Sequence, residues 1–148
     1  MSATNTFENE VLQHWFNNAN IANIGDATGL RGSSAAGSFY IALFTADPAE
    51  SGGIGAECTL GGYARVAVAR SSGGFTVSGS QITNTAKISF PVVTSGTETI
   101  THWGICKTSS GDDLMISGAC SFDSAFDGTY TVNDRPVFNI GDLSTSLN

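Results

Sequence analysis

The chain is 148 residues long and acidic, with a net charge of −7 and 13% charged residues, about half the usual share of roughly 25%. Its length suits one domain that buries its own core. Its six basic residues are scattered, which argues against a nucleic-acid partner, because phosphate binding needs clustered Lys or Arg. No segment reaches the about 18 apolar residues that cross a bilayer, and the N-terminus lacks the pattern of a signal peptide. We therefore expect no membrane partner.

Residues 5–18 are the helix candidate. Asn5 and Glu8 have the spacing of a capping box at its start. Apolar positions then recur every three or four residues, as expected for one face of a helix. They are Phe7, Val11, Leu12, Trp15 and Phe16. This stripe predicts an amphipathic helix that either packs on its own sheet or docks on a partner.

Residues 19–37 are rich in turn formers and predict a loop or arm, which carries Arg31. The next stretch, 39–45, is apolar on both alternate faces, and Asp47-Pro48 ends it. Because side chains alternate across a strand, both sides of this stretch must be covered. It predicts a central strand of an all-β domain.

Further short strands follow, separated by turn signals. Residues 81–90 alternate between apolar and polar, as in a strand with one buried face. Residues 99–122 predict a hairpin around the turn 109–113. The other candidates are 61–68, 75–77, 129–132, 137–140 and 143–147. Their spacing predicts an antiparallel β-sandwich or jelly-roll over 38–148, within a single domain that spans 1–148.

The sequence lacks the motifs of an enzyme. His14 and His102 are far apart and without zinc-ligand spacing, and no nucleophile elbow occurs. Asp123 and Asp127 lie in a loop that does not match a calcium-binding hand. We therefore predict no catalytic residue, no cofactor and no metal.

The three cysteines, Cys58, Cys106 and Cys120, lack a redox or metal motif. Free thiols in a reducing cytosol are the default interpretation. A disulfide between Cys106 and Cys120 stays an alternative if their strands pair.

Tyr63 and Arg65, after paired glycines, form the most distinctive local group. Tyr and Arg are enriched at subunit interfaces. The alternative is structural: Tyr63 packs on the sheet and Arg65 pairs with a carboxylate. The candidate interface residues of the sequence are therefore Phe7, Val11, Trp15, Arg31, Tyr63 and Arg65.

Several segments resemble those of a family of small bacteriophage virion proteins, some labelled tail-fibre proteins and some similar to capsid decoration (cement) proteins. The segments are YIALFTADP at 40–48, GGYAR at 61–65, ITNTAKISFP at 82–91, ITHWGI at 100–105 and LMISGA at 114–119. The resemblance extends from about residue 38 to the C-terminus. It implies a non-enzymatic β-domain that assembles in the host bacterial cytoplasm and becomes part of the virion.

Three functions are consistent with these observations. The first expectation is a capsid decoration protein that bridges major capsid protein subunits, with or without copies of itself. The second is a tail or tail-fibre component that binds other tail proteins and takes part in host attachment. The third, of another class, is a carbohydrate-binding β-sandwich or a hydrolase, with Trp15 or Trp103 as the aromatic platform.

Overall fold

The fold is all-β and antiparallel, with one short N-terminal helix, as predicted. The computed structural model describes residues 3–48, 54–122 and 126–147, and the elements below lie in these ranges. The helix α1 covers Asn5–Asn17. The strands are β1 (Ser38–Phe44), β2 (Val66–Ala69), β3 (Phe75–Ser78), β4 (Gln81–Asn84), β5 (Ile88–Ser89), β6 (Glu98–Thr99), β7 (His102–Cys106), β8 (Leu114–Ala119), β9 (Thr129–Tyr130), β10 (Val137–Phe138) and β11 (Ser144–Ser146).

The chain divides into two compact units. Unit 1 comprises Met1–Ser38, Ala69–Ala86 and Ile140–Asn148, and unit 2 comprises Phe39–Val68 and Lys87–Asn139. Neither unit is a continuous piece of chain, so neither can be cut out by simple truncation. The prediction of a single domain over 1–148 stays a prediction.

Unit 1 is a three-stranded sheet with α1 packed on it. The strand order is β11-β4-β3, and α1 contacts β3 and β4. Phe16 of α1 meets Phe75 of β3 edge to face, with ring centroids 5.1 Å apart. Together with Ile82 and Leu143, these fully buried side chains form the core of the unit.

Unit 2 contains the four-stranded sheet β2-β1-β7-β8 and the two-stranded pairs β10-β5 and β6-β9. The predicted central strand is β1, which pairs with β7 from Tyr40↔Cys106 to Phe44↔His102. Its residues from Ile41 to Phe44 are all buried, as a strand covered on both faces requires. The predicted hairpin is confirmed between His102 and Ala119, since β7 pairs with β8 on either side of the 109–113 turn. The predicted range began too early, because Thr99 belongs to β6 and pairs with Thr129 of β9.

The predicted strand 81–90 is two strands in different sheets. Ile82, Asn84, Ile88 and Phe90 are buried as the alternation suggested, but Ala86 is exposed. The buried Asn84 side chain explains the break, because its Nδ2 donates to the Ala86 carbonyl oxygen at 2.8 Å and turns the chain. The alternation therefore predicted most of the buried positions but not the interruption.

The start of α1 also differs from the prediction. Thr4, not Asn5, is the N-cap, and its side chain accepts from the backbone N–H of Phe7. Glu8 lies on the buried side of the helix and not at the capping-box position three residues after the cap. Asn18 ends the helix in the left-handed conformation, with φ of 57°, which Asn tolerates better than most residues.

We expect the chain to unfold in one cooperative transition, because both units depend on segments that are distant in sequence. Each unit carries one tryptophan, Trp15 in unit 1 and Trp103 in unit 2. In Trp15→Phe the fluorescence reports unit 2, and in Trp103→Phe it reports unit 1. In each variant the fluorescence transition should coincide with the calorimetric one. Two calorimetric transitions, each followed by one tryptophan, would instead establish two domains.

Candidate interaction site

The two sides of α1 serve different purposes. On one side, Glu8, Leu12 and Phe16 are buried, and the helix contacts β3 and β4 of its own unit. Asn9 fixes the same helix from its flank, because its Nδ2 donates to the carbonyl oxygen of Gly79 at 3.0 Å. The apolar stripe of the sequence is thus only partly used for packing within the unit.

The rest of that stripe faces outward. Phe7 is 44% exposed and Trp15 is 42% exposed, with half-buried Val11 between them at i+4 spacing. We call these three residues the α1 outer face. Single exposed apolar side chains are ordinary on a protein surface, whereas contiguous clusters of them mark interaction sites. Three of the predicted interface residues therefore share one face.

Arg70 fixes the C-terminal end of α1. Its Nη2 donates to the carbonyl oxygen of His14 and its Nε to that of Trp15. Its Nη1 reaches Asn18 Oδ1 at 2.8 Å and Ser33 Oγ at 3.2 Å. A cation at this end satisfies carbonyls that lack an intrahelical partner and complements the helix dipole. The outer face is therefore held on a rigid element.

His14 supports the same end of the helix. Its Nδ1 lies 2.7 Å from the carbonyl oxygen of Ala19, and the residue is half-buried, not fully solvated.

The predicted arm runs from the end of α1 to β1 and is organised by polar side chains. Asn18 and Ser33 exchange two hydrogen bonds, of 2.8 and 2.7 Å. Asp26 Oδ1 accepts from the backbone N–H of Thr28, and the hydrogen bonds from Thr28 lower the pKa of this carboxyl. Arg31 is exposed in this arm, as the interface prediction requires.

Arg65, by contrast, is buried among partners from its own chain. Its Nε donates to Glu57 Oε1 at 2.8 Å and its Nη2 to Glu57 Oε2 at 2.9 Å, a bidentate pair. Its Nη1 donates to Asp113 Oδ1 at 2.8 Å and to the carbonyl oxygen of Thr108 at 3.0 Å. Its Nη2 also donates to the carbonyl oxygen of Gly111 at 2.7 Å. All five guanidinium N–H groups are thus used.

This cluster changes the acidity of its members. Burial tends to raise the pKa of Asp113, but hydrogen bonds from Thr108 and Arg65 outweigh it and lower that pKa. The Arg65 side chain is 2% exposed. The cluster therefore attaches the turn between β7 and β8 to the chain around Glu57.

Tyr63 joins the same carboxylate. Its hydroxyl donates to Glu57 Oε1 at 2.9 Å and accepts from the backbone N–H of Leu43 at 3.1 Å. Its ring stacks on Phe90, with centroids 6.2 Å apart. Burial raises the pKa of the Tyr63 hydroxyl far above its usual range. These contacts match the structural alternative for Tyr63 and Arg65, and an interface role for the pair stays a prediction without support from the geometry.

The cysteines are not activated. Burial raises the pKa of each thiol to about 12, in Cys58, Cys106 and Cys120, whereas a catalytic thiol needs a lowered pKa. All three are free. Cys106 lies beside Leu114 while Ala119, next to Cys120, lies beside His102, so these two thiols are at opposite ends of the hairpin and cannot form a disulfide here.

The other candidates for chemistry have ordinary surroundings. His102 Nδ1 lies 2.9 Å from Thr101 Oγ1, and its Nε2 lies 3.9 Å from Asp47. Asp127 Oδ1 accepts from the backbone N–H of Thr129 at 2.9 Å, while Asp123 is outside the described residues. Among the described residues no three His, Cys, Asp or Glu side chains are grouped as metal ligands.

Trp103 is 2% exposed and sits over Gly118, where an added Cβ would come 2.5 Å from the indole ring. It therefore cannot be the aromatic platform for a glycan, contrary to the expectation. Trp15 is accessible, but as part of the α1 outer face.

No helix in the described ranges has the length and apolarity needed to cross a membrane. The charged clusters of both units are used to hold strands, turns and a helix end, and the exposed apolar face lies on a fixed helix.

The chain belongs to the family described as "Podophage GP4 fiber I protein gp80", whose model matches residues 2–146. Its predicted place among phage virion structural proteins is thereby confirmed. No curated protein matches the chain. Because the family is one of fibre proteins, it favours the tail-fibre alternative over capsid decoration, which was the first expectation.

Proposed function

We propose that this protein is a structural subunit of a phage tail fibre, and that it binds a neighbouring fibre or tail protein through the α1 outer face. The observation that carries the proposal is the fibre family match over residues 2–146. Capsid decoration has no comparable observation in its favour. Assembly in the host cytoplasm accords with the three free thiols.

The outer face has the properties of a docking surface. Its large side chains, Phe7 and Trp15, are already held in place by the buried side of α1 and by Arg70. Binding therefore costs little conformational entropy in these side chains, which favours affinity. The helix also carries Glu10 on its surface and contains no Lys or Arg. The expected partner surface is therefore an apolar groove with a basic rim.

Copy number and position in the virion test the tail-fibre assignment. Quantitative mass spectrometry against the major coat protein is expected to give few copies, in a small multiple set by the symmetry of the tail. Gold-labelled antibody should then mark the tail end of the particle in electron micrographs. A copy number in simple ratio to the coat protein, with labelling over the whole head, would establish decoration instead.

The docking face is tested by surface variants, because deleting α1 would also remove core residues such as Leu12 and Phe16. The double variant Phe7→Ser/Trp15→Ser should fold normally but enter particles poorly when it replaces the wild type during infection. Ile140→Ser is the matched control, since Ile140 is 71% exposed in the same unit. Normal incorporation of the double variant would exclude this face as the docking site, whatever the virion location.

A further inference from the structure

The arm between α1 and β1 presents Leu30 and Arg31 on a fixed loop. Leu30 and Ile21 exchange two backbone hydrogen bonds, of 2.9 and 2.8 Å. Gly29 lies so close to the same backbone that an added Cβ would collide with the carbonyl oxygen of Ile21. Leu30 is nevertheless 45% exposed, and Arg31 is exposed without an ion pair to any described residue. The arm thus holds an apolar side chain next to an unpaired cation.

The α1 outer face has the opposite charge beside it. Glu10 lies three residues after Phe7, so the two side chains are neighbours on the helix surface. Glu10 is exposed, and no described residue forms an ion pair with it. Glu8, the other carboxylate of the helix, is on the buried side. The α1 outer face therefore requires an apolar surface that has a cation beside it.

Leu30 is the exposed apolar side chain in the described ranges that best meets this requirement. Six large apolar residues outside α1 are at least 36% exposed: Ile24, Leu30, Met115, Phe126, Val132 and Ile140. All except Leu30 have an aspartate within two residues in sequence, which would repel Glu10. Leu30 instead precedes Arg31, and its nearest carboxylate in sequence is Asp26, whose Oδ1 accepts from the backbone N–H of Thr28 at 2.8 Å. Charge therefore selects the arm of this chain as a complement to the α1 outer face.

We propose that the α1 outer face of one copy docks on Leu30 in the arm of a second copy of this chain, with Glu10 paired to Arg31 of that copy. The inference rests on the proposed function and deepens it, because it names the partner of the same face. Phe7 and Trp15 then pack around Leu30, which removes apolar area from water on both surfaces. Because two different surfaces meet, the contact is heterologous and repeats from copy to copy into a closed ring or an extended filament.

The overall charge of the chain opposes self-association, whereas the local charges favour it. A net charge of −7 repels one copy from another, but salt screens this repulsion over about 8 Å under physiological conditions. Glu10 and Arg31 attract each other at contact distance. Glu10→Arg separates the two effects, because it makes the chain less acidic while it opposes Arg31 with a like charge. Weaker association of this variant therefore reports the local pair.

Charge reversal in the purified full chain tests the contact by sedimentation. The wild type is expected to associate in a concentration-dependent way. Glu10→Arg and Arg31→Glu should each raise the dissociation constant about tenfold or more, because each places like charges opposite each other. The double variant Glu10→Arg/Arg31→Glu exchanges the signs of the pair and should return to within about threefold of the wild type. Arg135→Glu changes an exposed arginine outside the arm and should have an effect of less than about threefold.

Removal of the apolar contact gives a second test. Leu30→Ser should weaken association as Phe7→Ser does, whereas Ile140→Ser, at an exposed position of the same unit, should not. A monomeric wild type, single charge variants that associate normally, or a double variant that does not recover would each overturn the proposal.

The proposal and the proposed function fail in different ways. A monomeric wild type, together with poor incorporation of Phe7→Ser/Trp15→Ser into particles, would overturn the second copy as partner but keep the docking role of α1. Self-association that follows the charge variants, in a protein located over the whole head, would support the contact and overturn only the tail-fibre assignment.

Discussion

Arg65→Ala is expected to lower the free energy of unfolding by about 3–5 kcal/mol, the usual cost of breaking a buried ion pair from one side. The loss has two parts. Glu57 and Asp113 lose the guanidinium that each carboxylate contacts at 2.8 Å. The carbonyl oxygens of Thr108 and Gly111 lose their donors as well. Since whole domains are stable by only about 5–15 kcal/mol, this variant should be marginally folded at 37 °C.

Denaturant unfolding of purified protein measures this effect, and two comparisons make it specific. Arg135→Ala removes an exposed arginine of the same unit and should change stability little. Arg65→Lys keeps the charge but not the fork of donors, so it should recover only part of the loss. Equal stability of Arg65→Ala and Arg135→Ala would show that the cluster contributes nothing to the fold, and would revive an interface role for Arg65.

The local features of this fold were predictable because they depend on neighbours in sequence. The strand 39–45 is apolar on both faces, and only a central position covers both. The hairpin of β7 and β8 followed from a turn of Ser, Gly and Asp between two strand-like runs. The helix followed from apolar spacing, although its cap was misplaced by one residue, from Thr4 to Asn5.

The supporting clusters were not predictable, because their contacts join residues that are far apart in sequence. Arg65 meets Asp113 across 48 positions, and Arg70 meets Trp15 across 55. A single sequence carries no signal for either contact. The same limit applies to Asn84, whose Oδ1 accepts from the backbone N–H of Leu143 at 3.0 Å. Its Nδ2 donates to the Ala86 carbonyl oxygen, and this turn ends a strand that the alternating pattern alone would continue.

The candidate site was only partly predictable, because it depends on both local spacing and contacts between distant residues. The apolar stripe at Phe7, Val11 and Trp15 is visible in sequence, but which half of the helix faces outward depends on the sheet beneath it. Burial of Leu12 and Phe16 on β3 and β4 decides that question. The resemblance of several segments to phage virion proteins already offered a tail-fibre role as an alternative, and the family match favours that alternative.

The division of α1 into a core side and an outer side predicts opposite effects for two phenylalanines. Phe16→Ala should lower the free energy of unfolding by about 3–5 kcal/mol, the usual cost of removing a buried aromatic ring. Phe16 is fully buried and packs edge to face on Phe75. Phe7→Ala, on the same helix, removes a ring that is already nearly half exposed and should cost less than about 1 kcal/mol.

Calorimetry of the purified variants measures the loss of stability in each. Incorporation into particles then tests whether Phe7 has a role beyond stability. Phe7→Ala should be stable yet incorporate poorly, because its ring belongs to the docking face. Phe16→Ala should incorporate poorly only in proportion to its loss of folded protein, and lowering the growth temperature should restore it. If Phe7→Ala destabilises as much as Phe16→Ala, both sides of α1 are core and the outer face has no separate role.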